Sequence, residues 1–156
     1  MQMKLQKRTI LVTGAAGFIG ANLVLELFRT ISSVHIIGID SVNDYYDVSI
    51  KEYRLDQIKS MADSHPESTW TFIKGSISDK ELINSIFDEY KPQIVVNLAA
   101  QAGVRYSITN PDAYIDSNLI GFITSWRRAV TPMIMGSQVW SILSMPRPPV
   151  CTDPTR

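Results

Sequence analysis

The sequence has few of the features that would place it in a specialised class of protein. Cys151 is its only cysteine, so an internal disulfide is impossible. No apolar run approaches the ~20 residues that a membrane-spanning helix needs. Fifteen basic residues balance fifteen acidic ones, so charge suggests neither a nucleic-acid nor a membrane partner. The N-terminus has no signal-peptide pattern, which predicts a cytoplasmic protein.

Histidine is equally scarce. His35 lies in an apolar segment and His65 in a polar one, and neither has a metal-ligand partner nearby in the sequence. We therefore expect no metal site. The 156 residues, 45% of them apolar, are enough for one globular domain with its own core.

What the sequence does contain is a glycine-rich turn between two apolar segments. Residues 9–13 are mostly apolar, residues 14–20 read Gly-Ala-Ala-Gly-Phe-Ile-Gly, and apolar residues then recur at helical spacing. A strand, turn and helix in this order leave backbone N–H groups at the positive end of the helix, where a pyrophosphate binds. Gly14 permits the turn, Gly17 lets the backbone approach the phosphates, and Gly20 lets the helix lie close to the sheet.

An acidic residue follows the second apolar segment. Residues 34–39 lead directly to Asp40, twenty positions after Gly20. A carboxylate at that place accepts hydrogen bonds from the ribose hydroxyls of a bound dinucleotide and repels a 2′-phosphate. The sequence therefore predicts binding of NAD rather than NADP.

Predicted strands and helices alternate along the chain, with strands at 9–13, 34–39, 70–73 and 94–98. Such alternation predicts an α/β fold, a Rossmann-type doubly wound parallel sheet. We expect the sheet to be incomplete, with about four strands, and to be followed by an irregular C-terminal tail. Ligands bind beyond the carboxyl ends of such strands, and the chain places there its glycine turn, Asp40, Gly75, Ser76, Ala99 and Ala100.

Three helices have readable features. Ser78, followed three positions later by Glu81, matches a capping box with Ser78 as the N-cap. Asn110-Pro111 predicts a helix with an N-cap and a proline in its first turn. A further helix over about 49–61 would bury one face formed by Tyr53, Leu55 and Ile58.

The chain resembles the extended short-chain dehydrogenase/reductases, and specifically the NAD-dependent sugar epimerase/dehydratase family. The motifs that carry the resemblance are residues 13–20, Asp40 with Asn43, and residues 98–100. Segments 43–47 and 99–107 are similar to those of UDP-glucuronate 4-epimerases. The resemblance covers about residues 8–122, which we expect to form the N-terminal part of an NAD-binding domain. It implies a UDP-sugar substrate, and homodimers are common in the complete family.

The resemblance also implies a site residue by residue. The pyrophosphate would be held by Gly14, Gly17, Phe18, Ile19 and Gly20, and the adenosine ribose by Asp40 and Asn43. The adenine would lie between Ser76 and Ile77, although the family usually has an aspartate at position 76. Leu98, Ala99 and Ala100 would line the path to the nicotinamide, and Asn118 would reach the cofactor from its helix. Arg105 would either bind an acidic sugar nucleotide or be a solvated or helix-capping arginine.

The resemblance stops after Phe122. The family would continue its helix and form a fifth apolar strand, which ends in a turn with the catalytic serine or threonine. A Tyr-x-x-x-Lys pair would follow. We find none of these in residues 123–156 and expect this non-family tail to be poorly ordered.

A one-base frameshift near Phe122 would explain the tail. The last base of each codon is read with the first two bases of the next. Synonymous codons then allow residues 122–136 to be re-read as FYHILEACRHSYDNG, and residues 139–156 as VEHLVYASSSSVYGSNK. These peptides contain the helix, apolar strand and serine turn that the family should have next. A divergent or disordered tail is the alternative.

Three functions stay open. The first is an NAD-binding fragment of a nucleotide-sugar 4-epimerase, itself inactive, because no tyrosine is followed four positions later by lysine. In the complete family that tyrosine removes the proton of the sugar 4-hydroxyl while hydride passes from C4 to NAD. The second is a related sugar-nucleotide dehydratase or decarboxylase, and the third is a non-catalytic nucleotide-binding module. No catalytic residue is assigned to this chain.

Overall fold

The computed structural model describes residues 5–101, 106–134 and 141–144, and it alternates strands with helices as the sequence predicts. The strands are β1 (Arg8–Thr13), β2 (Val34–Asp40), β3 (Thr69–Lys74), β4 (Ile94–Asn97) and β5 (Ser141–Ser144). The helices are α1 (Phe18–Thr30), α2 (Val48–Asp63), α3 (Lys80–Tyr90), α4 (Tyr106–Thr109), α5 (Pro111–Ile115) and α6 (Phe122–Ile134). A π-helical segment, Asp116–Gly121, joins α5 to α6.

All strands pair in parallel, in the order β3-β2-β1-β4-β5. The central strands are nearly continuous apolar runs because successive side chains point to opposite faces and both faces are covered. Ile10 and Val12 pack on one face with Val24 of α1, whereas Leu11 packs on the other with Ile83 of α3. The expected doubly wound α/β class is confirmed.

The sheet has five strands, compared with the expectation of about four. β5 lies in the tail and pairs with β4, with Ile142 opposite Val95 and Leu143 opposite Val96. The tail also contributes α6, whose Ala129 is fully buried in the same core cluster as Leu11. Residues 123–134 and 141–144 of the tail therefore have regular secondary structure, since β4 offers an edge for a further strand and the α3 face of the sheet accepts a further helix.

Helix α3 does not begin as the capping box predicts. Its N-cap is Asp79, whose Oδ1 accepts hydrogen bonds from the N–H groups of Glu81 at 3.1 Å and Leu82 at 3.0 Å. The Ser78 hydroxyl instead bonds the Ser76 hydroxyl at 2.7 Å. A carboxylate at the positive end of a helix is stabilised by charge as well as by the hydrogen bonds. Asn110 does cap α5 as predicted, accepting from Ala113 N–H at 3.3 Å.

Helix α2 buries only part of the set of residues expected. Ile58 is fully buried and Leu55 is half-buried, but Tyr53 is 64% exposed. Lys51, which lies on the same helix face as Leu55 and Ile58, is buried instead and forms hydrogen bonds with the β2–α2 loop.

Among the residues described, no helix is long and apolar enough to cross a bilayer. In the same ranges, no three His, Cys, Asp or Glu side chains are grouped so that they could hold a metal ion.

Candidate functional site

The glycine turn between β1 and α1 lies against the carboxyl ends of both neighbouring strands. Gly14 has a φ of 70°, and its N–H donates to the Ile39 carbonyl of β2 at 2.8 Å. On the other side, a Cβ at Gly14 would lie 2.8 Å from the backbone nitrogen of Ala99. Only glycine satisfies both conditions, because it adopts positive φ freely and has no Cβ.

The other two glycines of the turn, Gly17 and Gly20, lie close to the carbonyl oxygen of Gly14. A Cβ on Gly20 would lie only 2.1 Å from the Gly14 carbonyl oxygen, and one on Gly17 would lie 3.0 Å from it. Gly20 is therefore required by the close approach of the Gly14 carbonyl within the turn. Phe18 and Ile19, also predicted to hold the pyrophosphate, are both exposed and do not line the cleft described below.

The N-terminus of α1 has no side chain competing for its amides. Its N-cap, Gly17, has no side-chain capping bond, and the first turn contains no acidic residue. The free N–H groups and the helix dipole therefore leave a positive site at the end of the sheet.

Asp40 lies where the sequence predicts, at the end of β2 and beside the glycine turn. Its Oδ2 accepts from the Ala16 N–H at 3.1 Å, and its Oδ1 accepts from the Val42 N–H at 2.9 Å. The carboxylate thus joins the glycine turn to the β2–α2 loop. Each carboxylate oxygen retains a lone pair for a further donor.

The β2–α2 loop is held by Lys51, which the sequence analysis missed. The Nζ atom of Lys51 donates to the Asn43 carbonyl at 2.9 Å and to the Asn43 Oδ1 at 2.6 Å. It also lies 4.6 Å from the centre of the Tyr46 ring, a cation–π distance. Burial lowers the pKa of this ammonium and Arg54 acts in the same direction, whereas the charges of Asp40 and Asp44 oppose the shift.

Arg54, one helical turn beyond Lys51, contacts the glycine turn directly. Its guanidinium donates to the Tyr46 hydroxyl at 3.0 Å and to the Ala16 carbonyl at 3.3 Å. It also lies 5.7 Å from the centre of the Phe18 ring. The missed signal was a pair of cations, three positions apart, on a helix that directly follows the loop after Asp40.

Thr13 is a second residue that the analysis missed. It is completely buried, and its hydroxyl accepts from the N–H groups of Leu98 at 3.1 Å and Ala99 at 3.0 Å while donating to the Asn97 Oδ1 at 2.9 Å. One side chain therefore fixes the backbone that leaves β4. A threonine at the end of an otherwise apolar buried strand was the available signal.

These elements enclose a cleft of about 190 Å³ at the carboxyl ends of the strands. Of the predicted site residues, it brings together Gly14, Gly17, Asp40, Asn43, Ser76, Ile77, Leu98, Ala99 and Ala100. It is also lined by residues that were not assigned: Ile39, Ser41, Tyr45, Tyr46, Lys51, Gly75, Gln101 and Ser117.

Asn118 does not line the cleft. Its Oδ1 accepts from the Gln101 N–H at 2.8 Å, and its Nδ2 donates to the Gln101 carbonyl at 3.1 Å. It thereby holds the backbone of Gln101, whose own Nε2 is buried without a hydrogen-bond partner in the described part of the chain. Arg105, the tentative substrate residue, lies outside the described residues.

A family model described as GDP-mannose 4,6 dehydratase matches residues 11–125. The chain belongs to this family. The family is NAD-dependent and comprises nucleotide-sugar epimerases and dehydratases, as the sequence resemblance indicated.

Curated relatives agree with this assignment. Protein CapI of Staphylococcus aureus is 47% identical over 114 residues, which cover 73% of this chain and 31% of that protein. UDP-glucuronate 4-epimerase 4 of Arabidopsis thaliana is 42% identical over 115 residues, which cover 74% of this chain and 24% of that protein. The chain therefore spans about a quarter to a third of the length of these relatives.

A solved structure of an NAD-bound enzyme is also similar to this chain. The dTDP-glucose 4,6-dehydratase of Bacillus anthracis in complex with NAD superposes with a TM-score of 0.60 at 29% identity, over 88% of this chain and 36% of that one.

Proposed function

We propose that the cleft binds NAD and that the chain is the NAD-binding part of a nucleotide-sugar 4-epimerase of the UDP-glucuronate 4-epimerase kind. The observation that carries the proposal is the Asp40 carboxylate, placed between the glycine turn and the β2–α2 loop by bonds to Ala16 and Val42. A diphosphate site and a ribose acceptor are thus next to each other at the end of the sheet.

Two features of the residues lining the cleft fit the cofactor. In the glycine turn, the absence of a Cβ on Gly14 lets the turn lie against the backbone of Leu98 and Ala99, which brings both strand ends to the cleft. Gln101 also lines the cleft, and its buried Nε2 is a donor without a partner among the described residues, so it calls for a polar ligand. The cofactor would supply hydride acceptance and return at the sugar C4.

Each part of the chain then has a distinct task. The amides of the glycine turn bind the diphosphate, and Asp40 accepts hydrogen bonds from the adenosine ribose. The ribose is also contacted by Asn43, the adenine by Ser76 and Ile77, and the nicotinamide side by Leu98, Ala99 and Ala100. Asn118 acts through the backbone of Gln101 and not by direct contact, given its two bonds there.

Asp40 also supports the choice of NAD over NADP. A 2′-phosphate would place its negative charge beside this carboxylate, which repels it. The nearby cations Lys51 and Arg54 are already engaged by hydrogen bonds to Asn43 and Ala16 respectively.

The chain itself is proposed to be inactive. No tyrosine in the sequence is followed four positions later by lysine, so the acid–base pair of the complete family is absent. Residues 8–122 would form the NAD-binding part, and residues 123–156 would be the product of a shifted reading frame. A dehydratase of the same family is the second candidate, favoured by the description of the matching family and by the similar dTDP-glucose 4,6-dehydratase.

Calorimetric titration of the purified chain with NAD and with NADP tests the proposal. We expect NAD to bind and NADP to bind at least about tenfold more weakly, a difference of about 1.4 kcal/mol. Incubation with NAD and UDP-glucuronate should give no UDP-galacturonate. Absence of NAD binding would refute the cofactor site, and turnover would refute the inactivity of the chain.

A further inference from the structure

Lys51 is an unusual residue for the inner face of a helix. It is 4% exposed, and no ion pair of Lys51 with a carboxylate is found in the described residues. An ammonium buried in this way needs hydrogen-bond acceptors. It obtains two from one residue, Asn43, at the backbone oxygen and at Oδ1.

This contact fixes the orientation of the Asn43 amide. A lysine ammonium can only donate hydrogen bonds, so the amide oxygen must face Lys51. The NH2 group of the same amide then points to the other side. Asn43 is exposed and lines the cleft, so this donor is available to a bound molecule.

Asp40, three residues before Asn43, offers hydrogen-bond acceptors instead of a donor. An ionised carboxylate only accepts hydrogen bonds. Val42, between the two residues, has a φ of 49°, which is uncommon for a β-branched side chain. The bond from Val42 N–H to Asp40 and the bonds from Lys51 to Asn43 hold this tight turn from both sides. An acceptor and a donor are therefore held close together at the cleft.

We propose that Lys51 is a positioning residue for the cofactor ribose: it fixes Asn43 as a donor, so that Asp40 and Asn43 together bind a vicinal diol. One ribose hydroxyl donates to Asp40, and the oxygen of the neighbouring hydroxyl accepts from the Asn43 NH2. This inference rests on the proposed function, because NAD supplies that diol on its adenosine ribose.

Three variants separate this role from a merely structural one. Asn43→Asp keeps an acceptor for Lys51, and turns the contact into an ion pair, but removes the donor. We expect it to keep the melting temperature of the wild type or exceed it, while its Kd for NAD rises about tenfold. Lys51→Met should weaken NAD binding by a similar factor. Lys59→Met, on the exposed face of the same helix, should change neither quantity.

The decisive measurement uses NAD and an NAD whose adenosine ribose lacks both hydroxyls. The wild type should bind the dideoxy form at least about tenfold more weakly than NAD. In Lys51→Met this ratio should shrink to about threefold or less, because the donor is no longer oriented toward the diol. A purely structural lysine would weaken both ligands equally and leave the ratio unchanged.

The outcomes separate the two proposals. If the folded wild type does not bind NAD, the proposed function fails and this inference with it. If the wild type binds NAD but Lys51→Met retains the full ratio, or Asn43→Asp binds NAD as the wild type does, the positioning role alone is overturned.

Discussion

At the scale of single residues, the proposed preference for NAD over NADP depends on the charge of Asp40. Asp40→Asn keeps the shape of the side chain, but it removes the charge and replaces one acceptor with a donor. We expect NAD affinity to fall about tenfold and the preference for NAD over NADP to shrink, as measured by calorimetry with both cofactors. Asp56→Asn, at an exposed position of α2, is the control. Unchanged selectivity in Asp40→Asn would contradict the assignment.

Gly20 shows how one missing atom shapes the turn. In Gly20→Ala the new Cβ would have to lie where the Gly14 carbonyl oxygen now is, so the turn must shift. We expect the free energy of unfolding to fall by about 3 kcal/mol, the upper end of overpacking costs, in urea denaturation. Gly17→Ala, whose Cβ would lie 3.0 Å from the same oxygen, should cost clearly less. Equal losses in the two variants would be inconsistent with this account.

His35 couples the stability of the sheet to pH. Burial lowers its pKa, and its ring packs edge-on against Tyr90 with Nε2 3.2 Å from the Thr71 hydroxyl. The unfolded chain takes up a proton near the usual value of about 6.5, while the folded chain does so only at lower pH. Between those two values the unfolded state binds more protons, so stability falls as the pH is lowered through this window.

The test of this coupling is a comparison of urea midpoints at pH 7.5 and pH 5.5. We expect the wild type to lose more stability on acidification than His35→Gln does, because the glutamine does not titrate. An equal loss in the two proteins would place the pH dependence elsewhere.

At the scale of helices and strands, the spacing of apolar residues in the sequence predicts where the central strands lie. The runs around Ile10, Ile36 and Val95 are apolar on both faces, and such runs are sufficient to place central parallel strands. Their carboxyl ends meet by topology alone, which is why most of the predicted cleft residues lie together. The helical period places Lys51 on the same face as Ile58, but an apolar pattern could not show that a lysine is buried there, because that burial depends on acceptors in a loop.

The start of α3 was mispredicted for a related reason. Ser78 and Asp79 are both good N-caps, and their order in the sequence does not say which is used. The structure uses Asp79 and leaves Ser78 to bond Ser76. We expect Asp79→Ala to destabilise the chain by about 1 kcal/mol in urea denaturation, the usual cost of a lost N-cap. Ser78→Ala should cost clearly less. If Ser78→Ala instead cost more than Asp79→Ala, Ser78 would be the N-cap, as the capping box predicts.

At the scale of the whole molecule, two observations belong together. Ile115, Leu119, Ile123 and Trp126 are exposed and recur at helical spacing from α5 to α6. The chain also spans only about a quarter to a third of the length of curated relatives. An uncovered apolar face of this kind normally packs against another element or chain. The fragment hypothesis accounts for both observations, since further elements of a complete family member would be available to cover this face.

The frameshift hypothesis makes a prediction at the level of the coding DNA. Trp140 followed by Ser141 gives glutamate in the shifted frame only if Ser141 has an AGT or AGC codon, whereas Met145 followed by Pro146 gives alanine with any codon choice. We therefore expect an AGT or AGC codon at Ser141 and, after one base is restored near Phe122, a frame that continues through four serines into Val-Tyr-Gly. The chain expressed from the repaired gene should convert UDP-glucuronate to UDP-galacturonate, and the present chain should not. A TCN codon at Ser141 or a stop codon early in the shifted frame would rule out the hypothesis.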